Sequence, residues 1–130
     1  MEDQGNTKFV YGNLTEKIIG ALFEVHNVLG SGLLEKHYQK ALAEEFTRRE
    51  IPFVEQYLIN LSYKGVDLGK YLVDFYVYDK IPVEIKRDVH FSRQQIQQTL
   101  NYLKAMNLQL GLLVHFGREG VKIKRIVNIR

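Results

Sequence analysis

The sequence has no cysteine and only two prolines among its 130 residues. Without cysteine there is no disulfide and no thiolate metal site, so any bound metal rests on oxygen or imidazole ligands. The redox compartment is left open. No apolar run approaches the ~20 residues a membrane span needs. The opening stretch, MEDQGNTKFVYGN, is polar and lacks the apolar centre of a secretion signal. These absences lead to the expectation of a cytoplasmic protein with no membrane partner. There is no internal repeat, low-complexity tract or Pro/Ser-rich linker. What is present is ordinary for a globular chain: 45% hydrophobic and 25% charged residues, at a length that suits one core. A net charge of +3 permits a polyanion partner without requiring one. The basic residues gather at the end, where KIKRIVNIR holds four of them and no acid.

Residues 1–12 read as a flexible arm and 13–130 as a single domain. Asn13 is the expected N-cap of a first helix, with Glu16 as its capping-box partner. Ile18, Leu22, Val25 and Leu29 then recur at helical spacing up to the glycines of GSG. A second helix is predicted over 33–49, with Leu34, Tyr38, Ala41, Leu42 and Phe46 as its core stripe. Strands follow at FVEQYLINLSY, GKYLVDFYVY and IPVEIK, with Pro82 expected at the start of its strand or on an unpaired edge. A third helix over 91–106 and two closing strands, QLGLLVHF and VKIKRIVNI, complete the order α-α-β-β-β-α-β-β. That order indicates an α/β or α+β fold with a mixed sheet.

The stretch VDFYVYDKIPVEIK places charges inside apolar strands. A buried carboxylate costs several kcal/mol unless something neutralises it. Side chains alternate along a strand, so Glu84 and Lys86 share one face while Val83 and Ile85 take the other. A hairpin closed near Asp79 and Lys80 brings Asp74 roughly opposite Glu84. Two readings follow. The charges pair with one another for structure, or two carboxylates converge on a hard divalent cation with an ammonium beside it. Glu35 opens the second helix, where the helix dipole favours a carboxylate; it either stabilises that end or points at the same cation. On the third helix, Gln94, Gln98 and Tyr102 recur one turn apart. They read either as helix surface or as a face along which a nucleic-acid strand passes, with Tyr102 stacking on a base. His26 and His115 read as satisfied core or rim groups, with a role at the site as the alternative, and Arg118, Lys122, Lys124 and Arg125 as a solvated face or a nucleic-acid path.

GLLEKHY at 32–38 matches the G-x-x-E-x-x-Y signature of the GxxExxY proteins, a branch of the PD-(D/E)xK nuclease superfamily. IIGALFEVHNVLGSGLLE, VDFYVYDKIPVEIK and QTLNYLKAMNLQLGLLVHFG also resemble that family, so the likeness spans most of the chain. The resemblance implies a restriction-endonuclease-like fold, a mixed central sheet flanked by helices. It implies a nuclease that hydrolyses DNA phosphodiester bonds with Mg2+ or Mn2+, and it allows a homodimer. Asp74 corresponds to the motif aspartate, with Val73 standing where the superfamily name has proline. Glu84 and Lys86 correspond to the E-x-K. Glu35 corresponds to a helix-borne acid at the metal, and the Ile85 main-chain carbonyl joins the implied ligands. Gln98 and Tyr102 resemble the Q-x-x-x-Y element of RecB-like exonucleases; with Tyr38 and Lys86 they are the implied nucleic-acid contacts. The competing expectation is a nucleic-acid-binding or protein-interaction module that keeps the fold and cuts weakly or not at all.

Overall fold

A computed structural model describes residues 10–129. Helices α1 (Gly12–Leu29) and α2 (Glu35–Arg48) come first. Strands β1 (Phe53–Tyr63), β2 (Val66–Val77) and β3 (Ile81–Ile85) follow. Helix α3 (Arg93–Met106) then leads to β4 (Leu110–Gly117) and β5 (Gly120–Val127). The five strands form one sheet in sequence order. All neighbours are antiparallel except β3 and β4, which run parallel and are joined through α3. The mixed sheet flanked by helices is the restriction-endonuclease-like arrangement. Among the described residues, no helix is long and apolar enough to cross a membrane.

The sheet separates two cores. Ile18, Leu22 and Val25 of α1 and Tyr38, Leu42 and Phe46 of α2 pack on Phe75, Val83, Ile85, Leu112 and Val114. On the other face, Tyr102 and Leu103 of α3 pack on Ile59, Val73, Leu113 and Ile126. Gly111 lets α3 approach β4 closely, since a Cβ there would stand 3.3 Å from the Thr99 methyl. Alternation explains most of this partition: in β3, Val83 and Ile85 face α1 and α2, while Glu84 bonds to Tyr102 on α3.

The beginning of α1 differs from expectation. The N-cap is Tyr11, with φ 52°, and it offers no side-chain cap. Asn13 lies inside the helix, and the Thr15 hydroxyl donates to the Tyr11 and Gly12 carbonyls. The expected arm at 1–12 lies largely outside the described residues. Its last part is ordered: Val10 and Tyr11 pack on the first core, and Arg125 donates to the Val10 carbonyl at 2.8 Å. The capping box instead appears on α3, between Ser92 and Gln95. Pro82 is the second residue of β3 and precedes the parallel pairing, which begins at Val83.

Candidate active site and metal centre

The hairpin between β2 and β3 turns through Tyr78 and Asp79, both with positive φ, as a tight hairpin turn of right-handed strands requires. Its register pairs Val77 with Ile81 and Phe75 with Val83, so the next position brings Asp74 and Glu84 side by side. The ladder stops there. Asp74 Oδ2 takes over as acceptor for the Ile85 N–H at 2.8 Å, a side chain standing in for a strand partner. The β1 side of Asp74 is irregular too. Pairing passes from Glu55–Phe75 to Tyr57–Val73, and Gln56 has φ 51°. The alternation of β2 breaks at this point: Phe75 belongs to the core under α1 and α2, Val73 to the core under α3.

Glu84 is 5% exposed. Its Oε1 accepts from the Tyr102 hydroxyl at 3.2 Å, and the Tyr71 hydroxyl lies 3.2 Å from Oε1 and 3.3 Å from Oε2. Lys86 Nζ stands 3.8 Å from Oε2. The Lys86 main chain is held on both sides, its N–H donating to the Val114 carbonyl at 2.6 Å and its carbonyl bonded by His115 Nδ1 at 3.0 Å.

The electrostatics are short of positive charge. Burial pushes the Glu84 carboxyl up, Asp74 adds to the rise, and Lys86 with the two tyrosines opposes it. Burial also raises Asp74, against the Ile85 amide and Lys86. Glu35 is raised by burial and by Asp74, while Lys86 and Arg87 work the other way. Three carboxyls therefore share a field that Lys86 only partly neutralises. Hard oxygen donors in this state suit a divalent cation that keeps several waters. Among the described residues, no three His, Asp or Glu side chains already stand together as a ligand group. Asp74 is engaged with Ile85 and Glu84 with the tyrosines, so cation binding requires the carboxylates to turn. Lys86 and Glu35 line a neighbouring cleft of about 520 Å³ together with Gly32, Arg87 and His115.

Two expected nucleic-acid contacts are corrected. Tyr102 is 2% exposed, with its ring stacked on Tyr71 at 4.8 Å and its hydroxyl on Glu84, so it has no face for a base. Gln98 is exposed. Four residues along a helix leave an offset of about 40°, enough here to carry the stripe from rim to interior. Tyr102→Ala is therefore expected to cost ~3–5 kcal/mol of stability in denaturant unfolding, as truncation of a buried aromatic does. A loss below ~1 kcal/mol would contradict this burial. Tyr38 is committed as well. Its hydroxyl donates to the Gly30 carbonyl at 2.6 Å and accepts from the Leu33 N–H, and its ring stacks on Phe116 at 4.3 Å. The spacing of GLLEKHY thus has a local cause. Gly32 supplies φ 95°, Glu35 starts α2 toward Asp74, and Tyr38 fastens the loop.

His26 bonds the Gly117 carbonyl at 2.7 Å and His115 the Lys86 carbonyl, so both rings bond the backbone. Arg125 leaves the basic set of the last strand, since it reaches Val10 from the α1 side. Tyr71 is the site residue that sequence reasoning missed. Strict alternation places it with Phe75, across the sheet from Glu84, and only the break at Asp74 brings it over.

The PD-(D/E)XK nuclease superfamily profile matches residues 12–126, and the chain belongs to that superfamily. Nucleases of this kind generally use divalent metals. No curated protein matches the sequence. Among solved structures, the chain is similar to an alkaline exonuclease from Laribacter hongkongensis, at 14% identity over 88% of this chain and 82% of that one, with a TM-score of 0.49.

Proposed function

We propose that the protein is a divalent-cation-dependent nuclease acting on DNA, with Mg2+ or Mn2+ as the ion. The observation that carries this reading is the meeting of Asp74, Glu84 and Lys86 where β2 and β3 part, beside the cleft that Glu35 lines. Asp74, Glu84, Glu35 and the Ile85 carbonyl would hold the cation. When bound, it would polarise the phosphoryl oxygen and acidify a water. Lys86 places an ammonium where negative charge grows on the phosphate as the water oxygen attacks phosphorus and the P–O bond to the leaving sugar oxygen breaks. The attacking water's proton would pass to a carboxylate oxygen of Asp74 or Glu84 that the cation leaves free, and the leaving sugar oxygen would take its proton from solvent. Gln98, exposed on α3, and Lys86 are the side chains left from the expected set to contact the strand. The likeness of 32–38 to the GxxExxY signature supports the same reading.

A second reading, a binding module that has kept the nuclease fold, is favoured by one observation: Glu84 spends its oxygens on Tyr71 and Tyr102, and among the described residues no three acidic or histidine side chains form a ligand group. Labelled single- and double-stranded DNA incubated with Mg2+, Mn2+ or EDTA separates the two. Cleavage that EDTA abolishes is expected. Binding without cleavage under every ion condition would establish the second reading.

A further inference from the structure

Tyr71 sits on β2, the strand that carries Asp74, and pairs with Ile59 in the β1–β2 ladder. Its hydroxyl has one proton and faces both oxygens of Glu84 at nearly equal distance. Tyr102, fixed in α3, reaches Oε1 alone. Lys86 stands nearest Oε2. The two tyrosines therefore pull the carboxylate from different elements. Tyr102 draws it toward the helix, and Tyr71 ties it to the strand of the other acidic residue. The two rings stack at 4.8 Å. At 3.2–3.3 Å these bonds are longer than the usual ~2.7–2.8 Å of O–H···O pairs, so they steer Glu84 without locking it. A carboxylate held this way can turn toward Asp74 while keeping a donor on its far oxygen.

We infer that Tyr71 is a positioning residue for cation binding: as Glu84 turns toward the position it shares with Asp74, the Tyr71 hydroxyl stays on one carboxylate oxygen and leaves the other for the ion. This rests on the reading of Asp74 and Glu84 as cation ligands. Groups that hold a metal ligand from behind are typically worth ~10–100-fold in affinity. Tyr71 touches neither cation nor phosphate. It acts through Glu84, and Tyr71→Phe removes that action while keeping the ring stack and the buried volume.

The test is Mg2+ titration calorimetry on wild type, Tyr71→Phe and Asp74→Asn, with melting in EDTA as the fold control. Tyr71→Phe is expected to bind Mg2+ about tenfold more weakly. Its EDTA melting temperature should shift by no more than about 4–8 °C, the scale of one lost hydrogen bond. With DNA at subsaturating Mg2+, kcat should fall, saturating Mg2+ should restore most of it, and the KM for DNA should hold. Wild-type Mg2+ affinity in Tyr71→Phe, with affinity lost in Asp74→Asn, would overturn the role of Tyr71 and leave the cation site standing. Unchanged affinity in both variants, or no Mg2+ binding by wild type, would remove the cation site and this role together. A melting temperature that collapses in Tyr71→Phe would make the tyrosine a packing residue and also overturn the inference.

Discussion

Lys86→Ala is expected to keep cation binding and to lose cleavage by about 10²- to 10³-fold, the scale measured when one donor to developing negative charge is removed. The geometry supplies the reason. Main-chain bonds to Val114 and His115 fix where the lysine leaves the sheet, and the ammonium stands 3.8 Å from Glu84 at the wall of the cleft. A cation is no ligand for another cation, so metal affinity should hold or rise slightly as a positive neighbour disappears. Lys86→Arg should rescue poorly, because a planar guanidinium cannot occupy the space of a compact ammonium. Single-turnover rates at saturating Mg2+, with calorimetric titration alongside, measure both effects. If Lys86→Ala cuts at the wild-type rate, the lysine only neutralises Glu84.

Asp74→Asn and Glu84→Gln are each expected to abolish measurable Mg2+ binding and cleavage, since each removes an anionic oxygen from an ion that needs several. The neutral isosteres are the sharper choice. Asp74→Ala would also strip the Ile85 N–H of its acceptor, at a cost of ~1–3 kcal/mol. The metal-free protein should respond in the opposite direction from activity. Both carboxyls are raised above their ordinary values of 3.8 and 4.5, burial being the main cause. The folded state thus holds their protons more tightly than the unfolded chain does. Stability from these groups is fully present below the ordinary values and is lost as pH rises through the raised ones. Wild type in EDTA is therefore expected to lose melting temperature from about pH 4 upward, and Glu84→Gln should flatten that fall. Wild-type Mg2+ affinity in both variants would defeat the assignment of the site. An equally steep fall in Glu84→Gln would show that Glu84 is not the buried acid responsible.

The register of the central hairpin was legible because two simple rules agree. The sequence puts the turn near Asp79 and Lys80, one residue past the observed Tyr78–Asp79, and alternation sets the faces, so Asp74 is placed roughly opposite Glu84 with Lys86 on the same side. The apolar runs also placed β1 at Phe53–Tyr63 and β3 within one residue. The failures share another cause. Tyr71 reaches Glu84 through a break in alternation, and that break depends on Gln56 in a strand whose sequence gives no sign of it. Tyr102 carries a polar hydroxyl on a helix rim pattern, and only packing against Tyr71 shows that the ring is interior. Tyr38 similarly spends its hydroxyl on the Gly30 carbonyl, a contact set by the path of the GSG loop. Periodicity speaks to faces, and these three tyrosines are decided by distances across elements.

The sheet order also dictates when the site comes into being. Three of the four strand pairings join neighbours across short turns, and such hairpins close in ~1–10 μs. The β3–β4 pairing must instead draw together ends separated by residues 86–109, with α3 formed in between. Closure over that span carries the larger entropy cost and comes later. Asp74 and Glu84 meet in an early hairpin, but Lys86 gains its anchor on Val114 only with the late pairing, and Tyr102 arrives with the helix. A folding chain would then hold its two acids before it holds the lysine, and would gain cutting competence only at the final docking. Pulse-labelled hydrogen exchange reads this order directly. The Lys86 amide should become protected after the β1–β2 amides, and simultaneous protection would mean that the sheet forms in one step.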